Sequence, residues 1–284
     1  MEKNILNEEL SISNDVNNIT TKIKSAVSND YKKNKDDLTK YKPIDKKLDD
    51  VFYNELDINY NNIIIKVVYY VLNTSEEKTF RYYKGKYASK SRNTEFHLTL
   101  FLTGYNGVIN WKLNSMSLQH EVEHLYQLYK KKKPLLSSDK MKDYNNIEFL
   151  MDSDDFYDNI VGFTYYYYFK IERNANINGL YRKIMDANED GVFVDPMEII
   201  KDSLYYQNVQ FIKKTIQDST KLPLIEKSLL KINKSLKSYL RVANRMIDEY
   251  TKAFGRLLYK TKKDIEKEKS NWLINYGERL IKKD

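Results

Sequence analysis

From Val51 onward, apolar residues stop being scattered and begin to bunch or alternate in short runs. The segments "NNIIIKVVYYVLN", "KTFRYYKGKYA", "TEFHLTLFLTGY" and "GVINWKLN" each predict a β-strand, because β-branched and aromatic residues dominate them. Alternation is plainest in the last. Val108, Asn110, Lys112 and Asn114 fall on one face there, and Ile109, Trp111 and Leu113 on the other. Turns are expected at Lys84-Gly85-Lys86 and Tyr105-Asn106-Gly107.

At Ser115 the pattern changes from strand to helix. Ser115 or Ser117 suits an N-cap, and "LQHEVEHLYQLYKKKK" predicts a helix that stops at Pro134. Beyond a Ser- and Asp-rich connection lies "IVGFTYYYYFKIERNANINGLYRKIMDANED". Tyr165 to Phe169 have strand composition, but Glu172, Ala175 and Asn176 at offsets of three and four favour a helix. After Pro223, Ile225, Leu229, Ile232, Leu236, Leu240, Ala243, Ile247, Tyr250, Phe254 and Leu257 step at helical spacing. They predict one long amphipathic helix, either a coiled-coil arm or one side of a packing layer.

Residues 1–48 are polar, with weakly spaced apolar positions at Ile5, Leu10, Val16, Ile23 and Val27. They read as an arm of short helices or a partly disordered lead-in. An α+β chain in three parts follows: the arm (1–48), a core with a small, mostly antiparallel sheet (49–200), and a helical C-terminal extension (201–284).

Composition narrows the chemistry. The 284 residues include no Cys and only 3 His, so a transition metal would have to be held by imidazole and carboxylate. The start lacks a signal-like basic and apolar segment, and no apolar run approaches membrane-spanning length; a soluble cytoplasmic protein without a membrane partner is expected. Residues 201–284 carry 20 Lys and Arg against 10 Asp and Glu, so of the formal +8 the first 200 residues hold −2. Acids alternate with the lysines in "YKTKKDIEKEKS" and no base-reading motif occurs, which argues against nucleic acid as a partner. The C-terminal helix suits self-association better.

Two of the three histidines lie in "SLQHEVEHLYQ". At about 100° per residue, His124 sits roughly 40° round the helix from His120, so both imidazoles leave one face and can chelate one ion. This is the H-E-x-x-H pattern, with Glu121 placed as general base. The alternative is two surface histidines on a charged helix. The stretch also reads H-x-x-E-H through Glu123. Both glutamates lie about 80° from the centre of the histidine face, so helix geometry alone leaves them equal. The third ligand lies elsewhere. His97 stands in an alternating strand and reads as a packed sheet residue; Glu172, a lone acid in an aromatic and amide-rich segment, is the better candidate.

"LQHEVEHLYQ" followed by "E-x-x-A-N" resembles the zincin metallopeptidases of the glutamate-ligand type. More narrowly, "HEVEHLYQ" with "IERNANINGLY" is similar to small zincin-like proteins encoded by tailed phages of gut bacteria, including crAss-like phages. The resemblance covers roughly residues 60–185. It implies a sheet packed on the motif helix and on a second helix that brings the glutamate. His120, His124 and Glu172 would bind Zn2+, and Glu121 would be the general base in hydrolysis of a protein or peptide substrate. Ala175 would let the helices approach. A host-cytoplasmic or virion location would follow. The departure is Glu123, where the family usually has an uncharged residue. It keeps the inverted pattern open, with Glu198 as third ligand. Tyr168, one helical turn before Glu172, is the expected hydrogen-bond donor to the tetrahedral intermediate. The competing function is a structural or virion-associated interaction protein with an inactive zincin core.

"DANEDGVFVDPME" begins like a calcium loop, with Asp186, Asn188, Asp190 and Gly191 in the first half of the pattern. Met197 stands where a bidentate glutamate is required. A polar turn capped by Asp195 ahead of Pro196 is expected instead.

Overall fold

The computed structural model describes residues 14–42, 51–61, 63–74, 95–105, 107–131, 138–188 and 192–281. The chain is α+β and divides into two units, a sheet unit (Ile12–Lys132) and a helical unit that includes Lys133–Asp284. The division falls at Lys132/Lys133, whereas the sequence reading set boundaries at residues 48 and 200. Among the described residues, no helix is long and apolar enough to cross a membrane.

The sheet unit holds strands β1 (Tyr41–Lys42), β2 (Val51–Tyr60), β3 (Ile63–Thr74), β4 (Glu95–Tyr105) and β5 (Val108–Ile109), in that spatial order. The β1–β2, β2–β3 and β4–β5 pairs are antiparallel, while β3 and β4 run parallel with Ile64 opposite Glu95. The sheet is therefore mostly antiparallel, as expected, with one parallel pair in its middle. Asn61 enters the left-handed region at φ 51°, which Asn tolerates better than most residues, and turns the chain from β2 into β3. The expected strand "KTFRYYKGKYA" and its turn at Lys84-Gly85-Lys86 lie outside the described residues.

Alternation decides which face is buried. Ile63, Ile65, Val67, Tyr69 and Val71 of β3 and Phe96, Leu98, Leu100 and Leu102 of β4 point into one core. Two helices supply the rest of that core. One is α2 (Trp111–Lys131), through Leu118, Val122 and Leu125. The other corrects the sequence expectation. Residues Asn14–Asn34 form a single helix, α1, not a loose arm, and Val16, Ile19, Ile23 and Val27 are wholly or almost wholly buried. Their spacing of three or four is that of an amphipathic face. Polar pins fix it: Asp30 of α1 accepts hydrogen bonds from Tyr69 at 2.5 Å and Asn54 at 2.5 Å.

The helical unit contains α3 (Ser138–Met151), α4 (Phe156–Tyr168), α5 (Lys170–Ala187), α6 (Pro196–Asp202), α7 (Leu204–Gln217), α8 (Leu222–Lys231) and α9 (Leu236–Ile281). The single helix expected from Ile225 onward is two. Asn233 takes φ 54°, and the Lys234 N–H returns to the Leu229 carbonyl at 3.0 Å, a left-handed C-terminal cap that ends α8. The apolar stripe of α9 packs on α4, α5 and α7 within this unit. Of the two arrangements open for the long helix, this is a packing layer. Thr164 meets the Tyr239 hydroxyl at 3.0 Å, Asn176 donates to Tyr250 at 2.9 Å, and Tyr181 donates to Asp264 at 2.8 Å.

One buried charge makes this unit sensitive to acid. Burial pushes the Asp158 carboxyl up, but hydrogen bonds from Lys231, Ser153 and Ser228, with the Lys231 charge, outweigh it and hold the carboxyl below its ordinary value. A depressed folded-state pKa contributes stability above the unfolded value, lost as pH falls through the folded one. Thermal melts should therefore show the helical unit weakening below about pH 4. Asp158→Asn should flatten that part of the pH curve; an unchanged curve would remove Asp158 as its cause.

Of the calcium-like segment, Asp190 and Gly191 lie outside the described residues, and the described ones have partners within the helical unit. Asp186 pairs with Arg182 at 2.5 Å, and the Asn188 side chain caps its own helix, donating to Ile184 O at 2.8 Å and accepting from the Val194 N–H at 2.7 Å. Asp195 caps α6 with Pro196 in its first turn, the expected polar turn.

Candidate metal centre

The motif helix α2 starts four residues earlier than its expected serine cap. Only Val108 and Ile109 remain in β5, and Trp111 begins the helix. The reason is tertiary. Asn114 donates to the Thr103 carbonyl at 3.1 Å and accepts the Thr103 N–H at 3.2 Å, joining the first turn of α2 to β4. The Trp111 indole donates to Ser28 of α1 at 2.7 Å. Further along, Gln119 donates to Asn17 at 3.0 Å and Tyr126 to Asp15 at 3.1 Å. These bonds fix α2 in rotation as well as position.

With Leu118, Val122 and Leu125 turned into the sheet core, helix geometry carries His120 and His124 about 160° away from Val122. His124 is buried and His120 partly so. Their rings stand nearly perpendicular, 86° apart in plane, and the two Nε2 atoms approach to 3.1 Å. Two nitrogens bound to one tetrahedral ion at 2.0–2.1 Å would stand roughly 3.3 Å apart. The pair is thus already set at a chelating distance, and the residues fit a metal.

The two flanking glutamates differ in their surroundings. Glu123 is buried and its Oε1 accepts a hydrogen bond from Gln127 at 2.9 Å, one turn on along the same helix. Glu121 is partly exposed. Among the described residues, neither His97 nor Glu198 joins any group of potential metal ligands. His97 stands on β4 opposite Lys66, as a sheet residue, and Glu198 is exposed in the first turn of α6.

Glu172 lies on α5 and is only 4% exposed. The helix expected through this region is broken. Phe169, at φ −64° and ψ 125°, is extended and serves at once as the C-terminal cap of α4 and the N-terminal cap of α5. Glu172 therefore sits in the first turn of α5, where the helix dipole favours a carboxylate. Tyr168 was expected on its face because an unbroken helix was assumed. Across the break the two residues belong to separate helices, and the Tyr168 ring lies under Arg245, 5.9 Å from its guanidinium carbon.

Tyr166, near the end of α4, is a tyrosine whose phenol senses Glu172. Burial, followed by the Glu172 charge and a hydrogen bond to that carboxylate, pushes its phenol well above the ordinary tyrosine value. Sequence reasoning missed it. Nothing in "TYYYYFK" marks a helix break, since neither Gly nor Pro is present and Phe169 makes no side-chain cap. Ala175 and Asn176, the small residue and amide of the "E-x-x-A-N" run, are both buried.

Compared with protein-family models, curated proteins and solved structures, the chain matches none.

Proposed function

We propose that the chain is a zinc-dependent metallopeptidase of the zincin type, with His120, His124 and Glu172 as protein ligands and Glu121 as general base. The observation that carries this reading is the histidine pair, whose Nε2 atoms stand 3.1 Å apart on one helix face; Glu172 is the buried carboxylate of α5 that would complete the set. Two imidazoles and a carboxylate leave a position open on a four-coordinate zinc, as catalytic sites require. Zinc held there would supply Lewis acidity, polarising the scissile carbonyl and making water a competent nucleophile near neutral pH.

The remaining steps belong to side chains. Glu121, adjacent to His120 and outside the ligand set, takes the proton from the attacking water and returns it to the leaving amine nitrogen. Glu123, tied to Gln127, orders the motif helix.

Metal analysis of the full chain tests the reading. Wild type should carry about one zinc per chain, removable by chelation, and His120→Ala and Glu172→Ala should each lose it. Wild-type protein that takes up no zinc would end the proposal. Zinc uptake without cleavage of unfolded protein would favour the structural role with an inactive core.

A further inference from the structure

We propose that the outer face of α9 is a pairing surface for a second copy of this chain, the two helices running antiparallel and crossing at Gly255. The inner face is used within the helical unit, where Tyr239, Ala243, Tyr250 and Leu257 are buried. On the outer face Asn244, Asp248, Gly255, Lys262 and Glu266 are exposed, and they fall within about 20° of one line along the helix. Gly is the residue least suited to a helix interior after Pro. Among the described residues, nothing lies within 4 Å of the place a Cβ on Gly255 would take, so no contact there requires a glycine. The close approach of another backbone does.

The residues on the two sides of Gly255 complement each other when one copy is reversed. A two-fold axis beside Gly255 sets residues before it in one copy against those equally far after it in the other. Asp248 then faces Lys262, and Asn244 faces Glu266. Lys252 and Tyr259 lie about 40–60° to one side of this line, Thr251 and Leu258 about as far to the other. Because the axis keeps each flank on its own side, Lys252 meets Tyr259 of the second copy, a cation against an aromatic ring that is 60% exposed. Thr251 meets Leu258 in the same way. Each pair occurs twice, as a self-complementary interface requires.

Sedimentation equilibrium of the full chain tests the proposal. Wild type should dimerise at micromolar concentration, and Asp248→Lys should weaken dimerisation by about tenfold, because it places two like-charged pairs across the axis. Lys262→Asp should do the same. The double variant Asp248→Lys/Lys262→Asp should return to the wild-type value, since both pairs are restored with their signs exchanged. Gly255→Leu is the independent variant. Leucine favours the helix, so thermal stability of the monomer should not fall while dimerisation is lost. The proposal is overturned by a wild-type chain that stays monomeric up to millimolar concentration, by Gly255→Leu protein that dimerises like wild type, or by a double charge variant no better than the single ones.

Discussion

Glu121→Gln should lower cleavage of an unfolded protein substrate by about 10²–10⁴-fold while leaving the zinc content unchanged. The substitution keeps the shape of the side chain and removes its basicity, so a metal bound by the two histidines and Glu172 has no reason to leave. Glu123→Gln is the companion measurement. Helix angles place the two glutamates symmetrically about the histidine face, but their surroundings separate them. Glu123 is buried and bonded to Gln127, whereas Glu121 is partly exposed. Cleavage should therefore be little changed in Glu123→Gln. Fluorescent casein digestion with zinc analysis on the same samples checks both variants. If Glu123→Gln abolishes cleavage and Glu121→Gln does not, the inverted motif is the working one.

A chain lacking residues 1–48 should not fold its sheet unit. Val16, Ile19, Ile23 and Val27 of α1 are buried against the same core as β3, β4 and α2. Truncating even one buried isoleucine to alanine costs about 2–5 kcal/mol. Whole domains are stable by only about 5–15 kcal/mol, so removing the complete face exceeds what the unit can lose. Ile23→Ala is the milder form of this test and should lower the urea midpoint by an amount in the single-residue range. Urea denaturation followed by circular dichroism distinguishes the outcomes. A truncated chain that unfolds cooperatively, with the strand signal of the full chain, would show that α1 is an arm after all.

The two results probe opposite ends of what was legible. The histidine pair was readable because a four-residue spacing on a helix has one geometry wherever the helix lies. The helix itself was marked by "LQHEVEHLYQ", and Leu118, Val122 and Leu125 show its period. The α+β class and the long C-terminal helix were legible for the same reason. By contrast, α1 looked like a polar arm because its mean hydropathy is low, although its few apolar residues keep helical spacing. Only a sheet face that needs covering shows what that spacing is for.

The breaks were the least legible features. Asn233 ends α8 through a left-handed cap, a residue type permitted there but common elsewhere. Phe169 ends α4 with no local signal, and that single extended residue puts Tyr168 and Glu172 on separate helices. The early start of α2 at Trp111 depends on Asn114 reaching Thr103 and on Trp111 reaching Ser28.

The sequence by itself determined which residues have metal-binding chemistry and that two of them share one helix face, because backbone periodicity is local. The tertiary structure decided that β3 and β4 pair in parallel, that α1 completes the sheet core, and that α4 and α5 are separate helices. Those outcomes depend on which apolar faces bury each other and where a helix must bend to allow it, and no short window of sequence carries that information.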